Sequence, residues 1–386
     1  MTTDLAVIVG DPHLAERTWA SHRELTGDSL YSFWQAVEIA KKRYLPLVLL
    51  GDIFDSKSVS SAVLQFFCNC MDNLKRHHIP VYYIQGNHDI VSPPWPSVHA
   101  WPQHVDGMRF RLEDDTTGVV LQCFGLDWAP VSSYAEQLAA IPTEVDVLFT
   151  HQAWYEFGKM GSSATAECQM LPRGVTVVTG DLHIPMMTTG TAANGECVSL
   201  VSPGALCMQA INEPQQHYVY VLQKDDAGKV CFAPERLQTR QVHEFVCTTQ
   251  EEFDRGIAAI AAIKKEAPPA GAVFDISSPI VRITYPITVS QDSYMRLNAA
   301  IARSGGHLFT SPRMEEAAVS QIDVEAVQAP TLLTLSDAIA MLTEEAQTVR
   351  DLADRLLGET EALLPFLTKF NAEYMKEEPC ELIQSS

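Results

Sequence analysis

Apolar residues fall in short runs separated by polar turns and by stretches of helical period. Leu5–Val9 (LAVIV), Pro46–Leu50 (PLVLL) and Val81–Ile84 (VYYI) are continuous apolar segments of strand length. Such runs mark strands covered on both faces. Between them, Asp28–Arg43 sets Leu30, Phe33, Trp34, Val37 and Ala40 on one stripe, and Ser58–His77 predicts a second helix. A β-α-β-α-β order implies a mostly parallel sheet covered by helices. Short apolar strands then recur at Val119–Phe124, Val145–Thr150, Val175–Thr179 and Glu196–Val201. Asn194-Gly195 is a hairpin signal between Thr188–Thr191 and Glu196–Val201, and Tyr218–Leu222 with Lys229–Phe232 predicts a further antiparallel pair. The expectation is a layered α/β domain over residues 1–240.

The pattern changes from Val242. Glu251–Lys265 reads as a helix ended by Pro268-Pro269 and Gly271, followed by a strand at Ile280–Tyr285, a helix at Gln291–Ser304 and a strand at His307–Thr310. This predicts a small α/β unit over residues 241–328. Beyond Ala329-Pro330, Ile339, Leu342, Ala346, Val349, Leu352 and Leu356 recur at helical spacing, and Leu363, Phe366 (or Leu367), Phe370 and Tyr374 continue after Gly358. Residues 329–386 therefore read as a helical hairpin with one apolar face, suited to its own domain or to a partner helix.

Composition narrows the class. At 46% hydrophobic and 19% charged, 386 residues can build a sizeable core, which excludes a disordered or fibrous chain. The formal charge is -21, shared between residues 1–240 (−10) and 241–386 (−11), so a surface that is basic throughout is excluded. Nine scattered cysteines include no C-x-x-C pair. That favours reduced core thiols in a cytoplasmic protein over a zinc ribbon or redox motif. The apolar run Leu5–Val9 is too short for a signal peptide, and no stretch of ~20 apolar residues predicts a membrane span.

The chemistry sits at strand ends. Asp11-Pro12-His13, Gly51-Asp52-Ile53-Phe54-Asp55, Gly86-Asn87-His88-Asp89, Thr150-His151 and Gly180-Asp181-Leu182-His183 each close an apolar run. In an α/β sheet the carboxyl ends of strands gather side chains into one crevice. Taken singly, each piece has an ordinary structural use, such as an N-cap aspartate or a packed histidine. Together they bring four His, five Asp and one Asn to one place. Those groups are hard and borderline metal ligands, and a shared carboxylate can hold two divalent cations about 3.5–4 Å apart.

The ordered set resembles the calcineurin-like metallophosphoesterase superfamily, whose pattern is D-x-H, GD-x-x-D, GNH-[DE], H and GH-x-H. The resemblance covers roughly residues 4–240. Within the superfamily it is most similar to the nuclease subunit of SbcCD-type complexes. GDIFD, GNHD, Ser202-Pro203-Gly204 before a strand pair, and the small α/β cap followed by helices fit that branch. The resemblance implies two mixed β-sheets flanked by helices. It implies that Asp11, His13, Asp52 and His183 hold a first metal, with Asp52 bridging to a second that also takes Asn87 and His151. The family has a histidine where this chain has Asp181, which would make the second site harder and more manganese-like. His88 would act as electrostatic group or proton donor to the leaving group, oriented by Asp55. The cofactors implied are two divalent ions, Mn2+ first and Mg2+ second. The partners implied are DNA, an SbcC-like coiled-coil ATPase docked on residues 329–386, and a second copy of the chain joined through helices of the catalytic domain.

The motifs specify phosphoester hydrolysis without naming a substrate. The cap and apolar hairpin favour a DNA nuclease in end processing. The -21 charge leans towards a stand-alone enzyme for small phosphodiesters or phosphomonoesters, and a non-catalytic scaffold would not need so full a ligand set. Steep electrostatic binding is normal for DNA proteins. Arg17, Arg23 and Lys57 are the nearest cations to the first motifs, while Trp19, Trp95 and Trp101 could stack on splayed bases or pack in loops. Affinity for duplex is expected to come largely from the ATPase partner.

Overall fold

Strands that are apolar at every position need cover on both faces, and the chain supplies it with two sheets packed face to face and helices outside. The computed structural model describes residues 2–19, 25–158, 166–211, 213–264, 274, 276–286 and 289–313. The elements are β1 (Thr2–Val9), α1 (Asp28–Arg43), β2 (Leu47–Leu49), α2 (Ser61–Arg76), β3 (Val81–Tyr83), β4 (Gln103–His104), β5 (Arg109–Asp114), β6 (Val119–Leu126), α3 (Val131–Ala139), β7 (Val147–His151), β8 (Thr176–Gly180), β9 (Met186–Thr191), β10 (Cys197–Ser202), β11 (Tyr218–Asp225) and β12 (Val230–Arg236). After them come β13 (Val242–Val246), α4 (Gln250–Ala262), β14 (Ile280–Pro286), α5 (Gln291–Ser304) and β15 (His307–Arg313).

One mixed sheet has the order β12-β11-β1-β2-β3-β4 and the other β5-β6-β7-β8-β10-β9. Along β2, Leu47 and Leu49 face α1 and α2, whereas Val48 and the following Leu50 face the second sheet. In β7, Val147 and Phe149 enter the same inter-sheet layer, while Leu148 packs outward with Tyr134 and Leu138 of α3. The strand period of two thus feeds two cores at once. Leu5 and Ala6 are consecutive yet share the inter-sheet layer, because the ladder between β1 and β11 is interrupted between Asp4 and Ala6. A bulge of this kind lets one extra residue slip in without reversing the rest of the strand.

Helix α1 has the predicted bounds; its last turn carries Lys41, Lys42 and Arg43, as its dipole favours. Helix α2 begins at Ser61 rather than Ser58, because the Ser60 hydroxyl accepts from the Val63 amide and caps the helix. The Asn194-Gly195 turn joins β9 to β10, with Gly195 at φ +86°. Strands β4, β5 and β13 and helix α3 carry no strong sequence pattern and were absent from the expectation. β13 extends the predicted unit to β13-α4-β14-α5-β15, a parallel three-stranded sheet with its own core around Phe253, Ile257, Val281 and Leu297. The helical hairpin expected over 329–386, and the end of the cap beyond 313, lie outside the described residues. The cysteines among the described residues are free. No helix among them is long and apolar enough to cross a membrane.

The polypeptide passes from β12 to β13 through Arg240, which is buried. Its guanidinium donates from Nε to Asp28 Oδ1 at 2.8 Å and from Nη2 to Asp28 Oδ2 at 3.0 Å. It also donates to the carbonyls of Ser278 and Thr26. Asp28 opens α1, so one bidentate pair ties the first helix to the segment leading into the small sheet. Removing one partner strands the other in protein at a cost of about 3–5 kcal/mol. Arg240→Ala should lower the unfolding free energy by that order, as read from denaturant melts monitored by circular dichroism.

Candidate metal centre

Both sheets end their parallel strands on the same side, and the loops that follow are held against one another by the main chain. After β1, the His13 amide donates to the Asp52 carbonyl at 2.9 Å and the Leu14 amide to the Ile53 carbonyl at 2.9 Å, so the loops after β1 and β2 run side by side. The fully buried Asp89 joins the loops after β2 and β3. Its carboxylate accepts from the amides of Ile53, Phe54 and Gly86 at 3.0, 3.2 and 3.0 Å. Burial still pushes its carboxyl up to about 6, against the pull of those donors. The glycines of the motifs have a steric purpose. A Cβ on Gly86 would lie 2.1 Å from Asp52 Oδ1, and one on Gly180 would lie 2.5 Å from His151 Nδ1. Asp11, His13, Asp52 and Asp181 all adopt left-handed backbone, at φ 23°, 43°, 44° and 78°. Non-glycine residues there are strained, and such strain clusters at functional sites.

The side chains meet across the seam between the sheets. Asp52 is central: its Oδ2 lies 3.5 Å from His151 Nε2, 3.7 Å from His13 Nε2 and 3.9 Å from His88 Nε2, and its Oδ1 accepts from the His88 amide at 2.9 Å. Asp11 Oδ1 accepts from the Asp181 amide at 3.0 Å and stands 3.5 Å from His151 Nδ1. Asn87 Oδ1 is 3.2 Å from His151 Nε2, and Asp181 Oδ1 is 4.0 Å from the same atom. His13 Nε2 and His183 Nε2 face each other at 3.1 Å.

Ligand atoms of Asp11, Asp52 and His151 lie within 4.8 Å of one another, as do those of His13, Asp52 and His88. Two features fit a cation here. Asp11 Oδ2 is buried with no hydrogen-bond partner, which is costly for a carboxylate oxygen. His151 Nδ1 donates to the Leu50 carbonyl at 2.6 Å, which makes Nε2 the ring nitrogen that faces Asp52 and Asn87. Fixing one ring nitrogen in this way is how proteins orient a metal-binding imidazole.

The family comparison agrees with this geometry. Residues 6–185 match the model of the calcineurin-like phosphoesterase family. They form a calcineurin-like phosphoesterase domain. No curated protein matches the chain.

Within the phosphoesterase domain, Asp11, His13, Asp52, Asn87, His88, His151, Asp181 and His183 all reach one rim. Asp55 is half exposed and contacts two histidines in different ways: its carboxylate is 3.5 Å from His13 Nδ1, and its main-chain carbonyl accepts from His88 Nδ1 at 2.5 Å. The expected orientation of His88 by Asp55 is therefore a backbone contact. Glu213 was not foreseen; its Oε1 accepts from His183 Nδ1 at 2.8 Å. It lies 30 positions beyond the last motif in a stretch without periodicity, so nothing local marked it.

The expected DNA contacts fare unevenly. Arg17 and Lys57 are exposed, and Arg17 lines a cleft of about 290 Å³ beside Asp55, Ser56 and Ser58. Arg23 lies outside the described residues. Trp19, expected as a stacking platform, is covered by apolar side chains instead. It is 6% exposed and packs with Leu25, Met208 and Ile280. Trp95 and Trp101 are half-buried against the helix-side core, with their indole N–H groups donating to the carbonyls of Lys57 and Ile79.

Electrostatics set a pH signature. Burial opposes the charged form of His151, but the Asp52 hydrogen bond and the charges of Asp52, Asp11 and Asp181 override it and hold its pKa well above the ordinary imidazole value. Burial likewise opposes ionisation of Asp52, yet His151, His13 and the His88 amide hold its pKa well below the usual range. Burial raises Asp11 and Asp181. The raised His151 contributes stability that is complete below the unfolded imidazole pKa of about 6.5 and lost as pH climbs through the raised value. The depressed Asp52 contributes above about 3.9 and fades as pH falls through its lowered value. A cation must displace the His151 proton to use that nitrogen. Manganese should therefore raise the thermal midpoint of the metal-free protein, and by more at pH 8.5 than at pH 6.0, in paired differential scanning runs.

Proposed function

We propose that the chain is a two-metal phosphodiesterase acting on DNA ends, as the nuclease subunit of an assembly with an SbcC-like coiled-coil ATPase. The observation that carries the hydrolytic part is the convergence of three carboxylates and four imidazoles from both sheets around Asp52, with a buried Asp11 oxygen left without a hydrogen-bond partner. On this reading Asp11, His13, Asp52 and His183 hold one cation. Asp52, Asn87, His151 and Asp181 hold the other, with the Asp181 carboxylate favouring Mn2+ or Mg2+ over softer ions. Such ions, when bound, acidify water and neutralise charge on a phosphoryl group.

The remaining steps fall to the protein. Asp52 would serve both sites, because its carboxylate is held by the His88 amide at Oδ1 while Oδ2 faces His151 and His13. His88 is 40% exposed at the side chain and anchored through Nδ1, so in its imidazolium form the Nε2 proton would pass to a departing oxygen, leaving the ring neutral with its Nδ1–H on the Asp55 carbonyl. The strained loops cost stability but hold donors where substrate arrives, which favours positioning over flexibility.

The nuclease assignment draws on the parallel three-stranded unit that follows the catalytic sheets, and on exposed Arg17 and Lys57 beside the cleft at Asp55. The ATPase partner and a homodimer rest on the resemblance alone, and a cytoplasmic location on the scattered cysteines without a C-x-x-C pair. A second reading, hydrolysis of small phosphodiesters without a partner, is favoured by the -21 charge, since a strongly acidic surface repels a polyanion.

Manganese- or magnesium-supplemented assays on linear duplex, single strand and bis-para-nitrophenyl phosphate, with and without a coiled-coil ATPase, separate the two. Turnover of the small diester with no cut DNA in any setting would favour the second reading. His88→Ala should lower kcat by about 10²–10⁴-fold while keeping its metal content. Asp52→Ala should lose metal as well. Loss of metal from His88→Ala with full activity per metal would instead make His88 a ligand.

A further inference from the structure

Between β10 and β11 the chain returns twice to His183 at the candidate metal centre. The Ala205 amide donates to the His183 carbonyl at 3.1 Å, and Gly204, at φ +78°, has no room for a Cβ, which would sit 2.8 Å from that carbonyl oxygen. Further on, Glu213 turns back. Its amide donates to the Ala210 carbonyl at 3.0 Å. One carboxylate oxygen, Oε2, accepts from the Gln209 amide at 2.6 Å, and the other accepts from His183 Nδ1 at 2.8 Å. The side chain is 13% exposed. The small sheet pins the loop from behind: Arg282 Nη1 donates to the Ile211 carbonyl at 3.3 Å, and Met208 and Ile211 pack with Ile280 and Val242.

We infer that Glu213 is a positioning residue for the first cation site: it fixes the tautomer and ring angle of His183 and so sets how tightly that site binds. The inference rests on the two-cation reading above. With Nδ1 protonated and donated to Glu213, Nε2 carries the lone pair, and this is the atom that faces His13 Nε2. Both oxygens of Glu213 are engaged, so the carboxylate cannot swing away from the ring without losing the Gln209 amide. An anionic acceptor also raises the basicity of the ligating nitrogen, and losing such an outer carboxylate lowers metal affinity about 10–100-fold.

The test is a manganese titration of the full chain, followed by electron paramagnetic resonance and calorimetry, on wild type, Glu213→Ala and Glu213→Gln. Wild type should take up two ions. Glu213→Ala should weaken one of them about 10–100-fold and leave the other unchanged. Glu213→Gln keeps an acceptor for His183 Nδ1 but not the charge, and should fall between the two. It also serves as the readout should the alanine variant fail to fold, which melts of the metal-free proteins will show. An unchanged isotherm, or equal weakening of both ions, would overturn the inference, because a merely structural glutamate does not act on one site alone. No uptake by the wild type would overturn the two-cation reading itself, and the inference with it.

Discussion

Like charges gathered inside protein repel, and this chain gathers Asp11, Asp52 and Asp181 at one rim. Each was carried there by a different strand, and two of them are buried outright. Imidazoles from both sheets answer part of that charge. Asp52 is satisfied by His151, His13 and the His88 amide, but burial leaves Asp11 and Asp181 reluctant to ionise. The arrangement is therefore expensive without a counter-charge and well matched to one. The surrounding architecture, with strained left-handed residues, glycines that make room and amides that clasp carboxylates, serves to hold that unfavourable cluster in place.

The holding is done mostly by groups that are not themselves candidate ligands. The Leu50 carbonyl fixes His151, Asp89 joins two loops through three amides, and Glu213 fixes His183. Each comes from a different part of the chain from the residue it orients. Rigid support of this kind explains why the rim keeps its geometry although its loops are irregular. It also links the rim to the small parallel sheet, because the Glu213 loop is anchored by Arg282 while Arg240 ties the connecting segment to α1.

The acidic surface and the basic spots near the rim pull the substrate question in opposite directions. Long-range repulsion of a polyanion weakens with salt over about 8–10 Å, whereas contacts at the cleft act at short range. A protein with this charge distribution gains most from a partner that supplies the cations for it, which is why the ATPase assembly and the small-diester reading differ so sharply in what they require of the surface.

The strands of continuous apolar character, both central helices and five chemistry-bearing segments were legible in the chain because each is a local signal: a period, a cap, a motif at the end of a run. Short edge strands such as β4 and β5 were not, since their residues are half polar and owe their conformation to a neighbouring ladder. Trp19 looked available for stacking until Met208 and Ile280, far away in sequence, were seen to cover it. Glu213 had no local mark at all. The sequence alone determined which side chains could hold cations and that they sit at strand ends. Only the tertiary structure decided which rings are oriented by which acceptors, because those contacts join residues 30 to 101 positions apart, and no local period records them.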